Sequence, residues 1–115
     1  MVEQAAILDS VFHALSDQTR RSILRDLREA EKAVGELAKP YSMSLAAVSK
    51  HVQVLERAEL VQRERRGQFQ IVRLKPQNLR AAQDWLAFYE TFWTAQLDAL
   101  QTHLEQAEKS AGKGS

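Results

Sequence analysis

The chain has 115 residues, 44% of them hydrophobic, and its sixteen basic groups against fifteen acidic ones leave a net charge of +1. That length fits one domain with a small core and a large surface, so association with another copy is a natural way to bury more. The charge balance excludes a bulk polycation or an acidic tail protein, and the lack of cysteine excludes disulfides, cysteine nucleophiles and thiolate metal sites.

The first stretch, MVEQAAILDSVF, carries an acid where a signal peptide needs basic residues, and no apolar run approaches a membrane span. A soluble cytoplasmic protein is therefore expected. Residues 3–14 read as an amphipathic helix with Ile7, Leu8, Val11, Phe12 and Leu15 close to one face. Asp17 is placed to cap a second helix, DQTRRSILRDLRE, whose buried stripe is Ile23, Leu24 and Leu27. A short helix near VGELAK should stop before Pro40, because proline disfavours helical geometry in the residue preceding it. Ser44 can cap the next helix, which runs to about residue 58.

There the hydrophobic period changes from 3.6 to 2. LVQRERRGQFQIVRLK holds two short β-like runs joined at Arg66-Gly67, where glycine supplies the positive φ of a tight hairpin turn. Pro76 ends the second run and can start a last helix, roughly 77–106. Residues 107–115, which include the glycine-containing tail KSAGKGS, read as a flexible tail. The expected fold class is mainly α with a small β-hairpin (α+β), with residues 1–106 forming one domain.

Charge is not spread evenly. Residues 42–75 carry seven basic groups against three acidic ones, +4, while both flanking segments are slightly acidic. A polyanion would be met in this central segment. On a helical wheel of 44–58, Val48, Val52 and Leu55 face the core. Ala46, Lys50, Gln53 and Arg57 lie on another side, with Ser49 beside them. Small residues near the N-terminus permit close approach to base edges, Ser, Lys and Gln can reach bases or phosphates, and the helix N-terminus offers backbone N–H groups to phosphate. An exposed helix is polar on one side in any case, so the wheel alone does not decide. The hairpin adds to it, because Arg63, Arg65 and Arg66 crowd one arm and the turn, where a wing would touch flanking DNA. Edge strands also use charge to block aggregation, so some of these arginines can serve that purpose instead.

The segments ALSDQTRRSILRDL and VGELAKPYSMSLAAVSKHVQVLERAELVQRERRGQ, with the strand after them, resemble the ArsR/SmtB family of bacterial winged-helix repressors over about residues 8–105. SLAAVSKHVQVLERAELV is the most specific part. The resemblance implies a homodimer that represses transcription from an inverted-repeat, double-stranded DNA operator and is released by an inducer, which the residues do not identify. It implies DNA contacts by Ser44, Leu45, Ala46, Ser49 and Lys50 on the recognition helix and by Arg65, Arg66 and Gln68 at the wing. Similar sequences often have proline where Gln18 stands and a capping Ser or Thr where Ala33 stands. The second difference should let the short helix fray. The missing cysteines remove the family's thiolate metal and metalloid sites.

Five of the eight aromatic residues lie within 85–93. Ala81, Trp85, Phe88, Phe92, Ala95 and Ala99 form one row at helical spacing, and Leu86, Trp93, Leu97, Leu100 and Leu104 form a second. A helix apolar on two sides must be covered on two sides. The second row is expected to meet the same helix of a partner, with Leu8, Phe12 and Tyr89 joining the dimer interface. A membrane-surface helix would need a basic face, and this one carries Asp84, Glu90 and Asp98.

No metal or other cofactor is expected. One branch of the family binds zinc-like ions between its last helices through Asp-x-His and His-x-x-Glu or His-x-x-His. The nearest match here is Glu90-x-Phe92 with His103-x-x-Gln106, at most two of four ligands. No catalytic constellation stands out. A winged-helix module that binds protein instead of DNA is the alternative to a repressor, and the +4 segment argues against it.

Overall fold

The computed structural model describes residues 2–113, with side chains over 5–110. The elements are α1 (Val2–Leu15), α2 (Gln18–Leu27), β1 (Lys32–Ala33), α3 (Val34–Ala38), α4 (Leu45–Arg57), β2 (Val61–Arg66), β3 (Phe69–Leu74) and α5 (Gln77–Lys113). The described residues fall into two compact units, one ending at Ala82 and one starting at Gln83.

In the first unit, the apolar stripes of α1, α2 and α4 converge on one core. Val11, Ile23, Leu37, Val48, Val52, Leu55, Leu60 and Val72 are all fully buried there. The three residues assigned to the inner face of α4 are thus all inside, and Leu24 is half-buried.

Side-chain caps set the helix starts. Asp17 Oδ2 accepts from the Arg20 backbone N–H at 3.1 Å, and Ser44 Oγ accepts from that of Ala47 at 3.1 Å. The Arg20 backbone hydrogen bond, with the nearby Arg20 charge, holds the Asp17 carboxyl below its usual range despite partial desolvation. A carboxyl depressed on folding contributes stability above its unfolded pKa and loses it as pH falls through the folded value. Stability from this cap should therefore decline below pH ~4. Asp17→Ala should cost about 1 kcal/mol by urea denaturation at neutral pH, and much less in acid. A cost equal at both pH values would show that the ionised carboxylate is not the capping group.

Ala33 has no side-chain oxygen to cap α3, but Glu36 Oε1 accepts from the Ala33 N–H at 3.2 Å. Half of a capping box therefore survives. The helix stops at Ala38, although Lys39 still has helical angles.

The end of α4 needs no glycine. Glu59 takes φ 56°, and the Leu60 N–H donates to the Leu55 carbonyl at 3.0 Å. This is a Schellman closure with a glutamate in the left-handed position, and burial of Leu60 holds it. Asn78 Nδ2 donates to the Ala58 carbonyl at 3.0 Å and covers another orphan acceptor of the same helix end.

The sheet is antiparallel in the order β1-β3-β2. Pairing of Arg66 with Phe69 leaves Gly67-Gln68 as the loop, so the junction lies one residue beyond the expected Arg66-Gly67. Gly67 has φ +61° and Gln68 does not have a positive φ, the II′ pattern with glycine first. The strand β1 is an addition to the expected hairpin.

In the second unit α5 continues to Lys113 instead of ending near 106, into the stretch expected as a tail. Gly114 and Ser115 lie outside the described residues. Along it, Tyr89 contacts the rings of Trp85 (5.0 Å between centroids), Phe88 (4.9 Å) and Trp93 (6.2 Å), bridging the two apolar rows. Leu86, Tyr89, Trp93, Leu97, Leu100 and Leu104 are all exposed on the single chain, and Phe88 is 77% exposed.

Candidate nucleic-acid interface

The outer surface of α4 begins with Ser44, Leu45 and Ala46, all exposed, and continues through Lys50 and Gln53, also exposed. Burial of Val48, Val52 and Leu55 on the opposite face fixes the rotation of the helix, so this polar surface cannot turn inward. Ser49 is half-buried between the two faces. Arg57 is exposed but sits in the last turn, about 16 Å along the axis from Ala46 at 1.5 Å per residue. It lines a small cavity of about 160 Å³ with Ser10, His13, Val54 and Ala58. The structure therefore groups 44–53 into one patch and leaves Arg57 apart from it. Leu45 also borders a groove of about 610 Å³ shared with Val34, Phe69 and Ile71 of α3 and the wing.

The wing arginines do three different things. Arg65 donates through Nε to the Gly67 carbonyl at 3.2 Å and forms no ion pair with a described residue, so its charge is open to solvent. Arg66 is held by two carboxylates: Glu31 at 2.6 and 3.3 Å and Glu64 at 3.1 Å. Arg66 is pushed above its usual pKa by these hydrogen bonds, and Glu31 is pulled below its own chiefly by the bond from Arg66. Arg63 turns back toward α4. Its guanidinium donates to Ser49 Oγ at 3.0 Å and to Glu56 Oε1 at 3.3 Å, with the side chain only 17% exposed. Gln68 is exposed at the tip.

The positive field is smaller than the count of residues suggests. Arg73 and Lys75 also have carboxylates within reach, Glu64 at 4.0 Å and Glu59 at 3.6 Å. Lys50, Arg57 and Arg65 form no ion pair with a described residue and remain as open charges. Of these contacts, Arg66 with Glu31 and Arg63 with Ser49 have no local signal in the sequence, because Glu31 lies 35 residues from Arg66 and Ser49 lies 14 from Arg63.

A buried arginine supports α4 from behind. Arg20 donates through Nε to the Ala14 carbonyl at 2.8 Å and through Nη2 to the His13 carbonyl at 3.0 Å. Its Nη1 lies 3.2 Å from His51 Nδ1 on α4. His51 is half-buried, behind the recognition face. Among the described residues no group of three or more His, Asp or Glu is arranged to hold a metal ion. No helix among them is long and apolar enough to cross a membrane.

Four helices, the last two of them a helix-turn-helix, followed by a two-stranded hairpin joined to a third strand, define a winged helix-turn-helix protein. Comparison with known proteins agrees. A helix-turn-helix domain family matches residues 15–64. The transcriptional repressor SdpR of Bacillus subtilis is 33% identical over 79 residues, 69% of this chain and 88% of that protein. An ArsR-like transcriptional regulator from Rhodococcus sp. RHA1 superposes with a TM-score of 0.71 at 31% identity, covering 92% of this chain and 97% of that one. The homodimeric winged helix-turn-helix domain Mb0332 of Mycobacterium bovis, a possible ArsR-family regulator, superposes with a TM-score of 0.58 at 27% identity, covering 79% and 83%. The chain belongs to the ArsR/SmtB family of winged helix-turn-helix regulators.

Proposed function

We propose that this protein is a homodimeric transcriptional repressor, not an enzyme, acting in the cytoplasm on an inverted-repeat DNA operator. The helix 44–58 enters the major groove and the hairpin 61–74 lies as a wing on flanking backbone. The observation that carries this reading is the surface of α4. Its buried Val48, Val52 and Leu55 aim Leu45, Ala46, Lys50 and Gln53 outward as one exposed patch, and the wing adds the open charge of Arg65. A repressor and a homodimeric domain among its relatives support the same reading. A gel shift with the promoter of its own gene, followed by selection of bound sequences from random DNA, tests it. Failure to retain any DNA at low salt would favour the protein-binding alternative.

The wing carries a separate prediction. Removing one phosphate-binding cation should flatten the log–log salt dependence of binding by about 0.9. Arg65→Ala should produce that change on operator and random DNA alike. Arg66 must exchange its carboxylates for phosphate, so Glu31→Gln should tighten binding to all sequences by weakening the competing pair. An unchanged slope in the Arg65→Ala, Arg66→Ala double variant would remove the wing from the interface.

A further inference from the structure

Arg63 stands on the wing strand but directs its hydrogen bonds to the recognition helix. Nη1 donates to Ser49 Oγ at 3.0 Å, and Nη2 lies 3.5 Å from the Ser49 carbonyl and 3.3 Å from Glu56 Oε1. Ser49 and Glu56 are two turns apart on one side of α4, so the guanidinium lies along the helix between them. The carboxylate of Glu56 balances its charge. This arginine is therefore held back from phosphate, and its contact with Ser49 calls for another explanation.

We propose that Arg63 is a positioning residue that fixes the hydrogen-bonding sense of Ser49 toward DNA. The proposal rests on the reading of α4 as the recognition helix. A serine hydroxyl has one donor hydrogen and two acceptor lone pairs, and alone it rotates to suit either kind of partner. A guanidinium has only donors. Its N–H occupies one lone pair of Ser49 Oγ and its charge turns the hydroxyl hydrogen away. The second lone pair lies close to the same cation, which disfavours the approach of another donor. Ser49 is thereby left as a donor, suited to an acceptor on a base edge in the major groove: N7 or O6 of guanine, N7 of adenine, or O4 of thymine. The N4 amino group of cytosine, a donor, is rejected at that position.

The test is a binding titration of the full-length protein on its selected operator, with all four base pairs placed in turn at each position. Arg63→Gln replaces a donor-only group with an amide that can also accept, so it should relax one base-pair position by about tenfold in discrimination, the scale of one hydrogen bond. Preferences elsewhere and the salt slope should be unchanged. Ser49→Ala should relax the same position, and the double variant should lose no more than either single change. Arg63→Lys, still a cation with donors only, should keep the sense of the preference at reduced strength. Its comparison with Ser49→Ala decides the matter if Arg63→Gln does not fold by thermal unfolding. Relaxation at different positions, additive losses in the double variant, or a flattened salt slope for Arg63→Gln would each overturn the proposal while leaving α4 as the reader. A wild-type protein that binds DNA with no sequence preference would overturn the reading of α4 itself.

Discussion

Leu97→Glu should give a folded monomer whose operator affinity is about 10²–10⁴-fold weaker, although no DNA-facing residue has changed. Leu97 is 61% exposed on the single chain, so a charge there meets water and costs the monomer little. Trp93, Leu100 and Leu104 of the same row are exposed as well. In the proposed dimer this row packs against its copy, and a carboxylate buried there without a partner costs several kcal/mol. The dimer's two-fold axis sets two copies of α4 about one DNA turn apart, roughly 34–36 Å. A monomer holds one half-site only and loses the high effective concentration of the second. Sedimentation combined with a binding titration reads both steps. A folded Leu97→Glu protein that stays dimeric would move the interface off this row, and a monomer with undiminished operator affinity would show that pairing is not needed for binding.

What the sequence makes legible is what local chemistry determines. The change of hydrophobic period at residue 60 locates the hairpin, Asp17 and Ser44 are caps because their short oxygens reach the next turn, and Gly67 supplies the positive φ. The strand β1 is too short, at two residues, to show any period, and it exists because Lys32 and Ala33 pair with Val72 and Ile71. The left-handed Glu59 carries no local signal, because the buried Leu60 behind it, not its own preference, stabilises the turn. At the site, the outward face of α4 follows from the spacing of Val48, Val52 and Leu55. The division of labour among Arg63, Arg65 and Arg66 does not, because it depends on which carboxylates the fold brings to them. Three adjacent-looking charges become an internal support, an open charge and a neutralised pair.

Arg20→Ala should destabilise the protein by about 3 kcal/mol, the largest loss expected from a single polar side chain here. Arg20 is 9% exposed, the one charged residue in the core among the described residues. Its side chain gathers the carbonyls of His13 and Ala14, which end α1, and the Nδ1 of His51 on α4. Those carbonyls are the negative end of a helix and have no partner within α1, so a cation is the favourable group to meet them. Alanine leaves the buried Ala14 carbonyl without its donor, leaves the His13 carbonyl to the Ser16 N–H and hydroxyl alone, and unties α1 from α4 in the same step. Lysine should not rescue the loss, because an ammonium is a compact charge that cannot fork to two carbonyls and an imidazole at once. For a domain of this size the change corresponds to a fall in Tm on the order of 10–20 °C. Urea denaturation of the wild type, Arg20→Ala and Arg20→Lys measures it. If Arg20→Ala lies within about 0.5 kcal/mol of the wild type, the guanidinium is a passive tenant of the core, and the rotation of α4 owes its precision to Val48, Val52 and Leu55 alone.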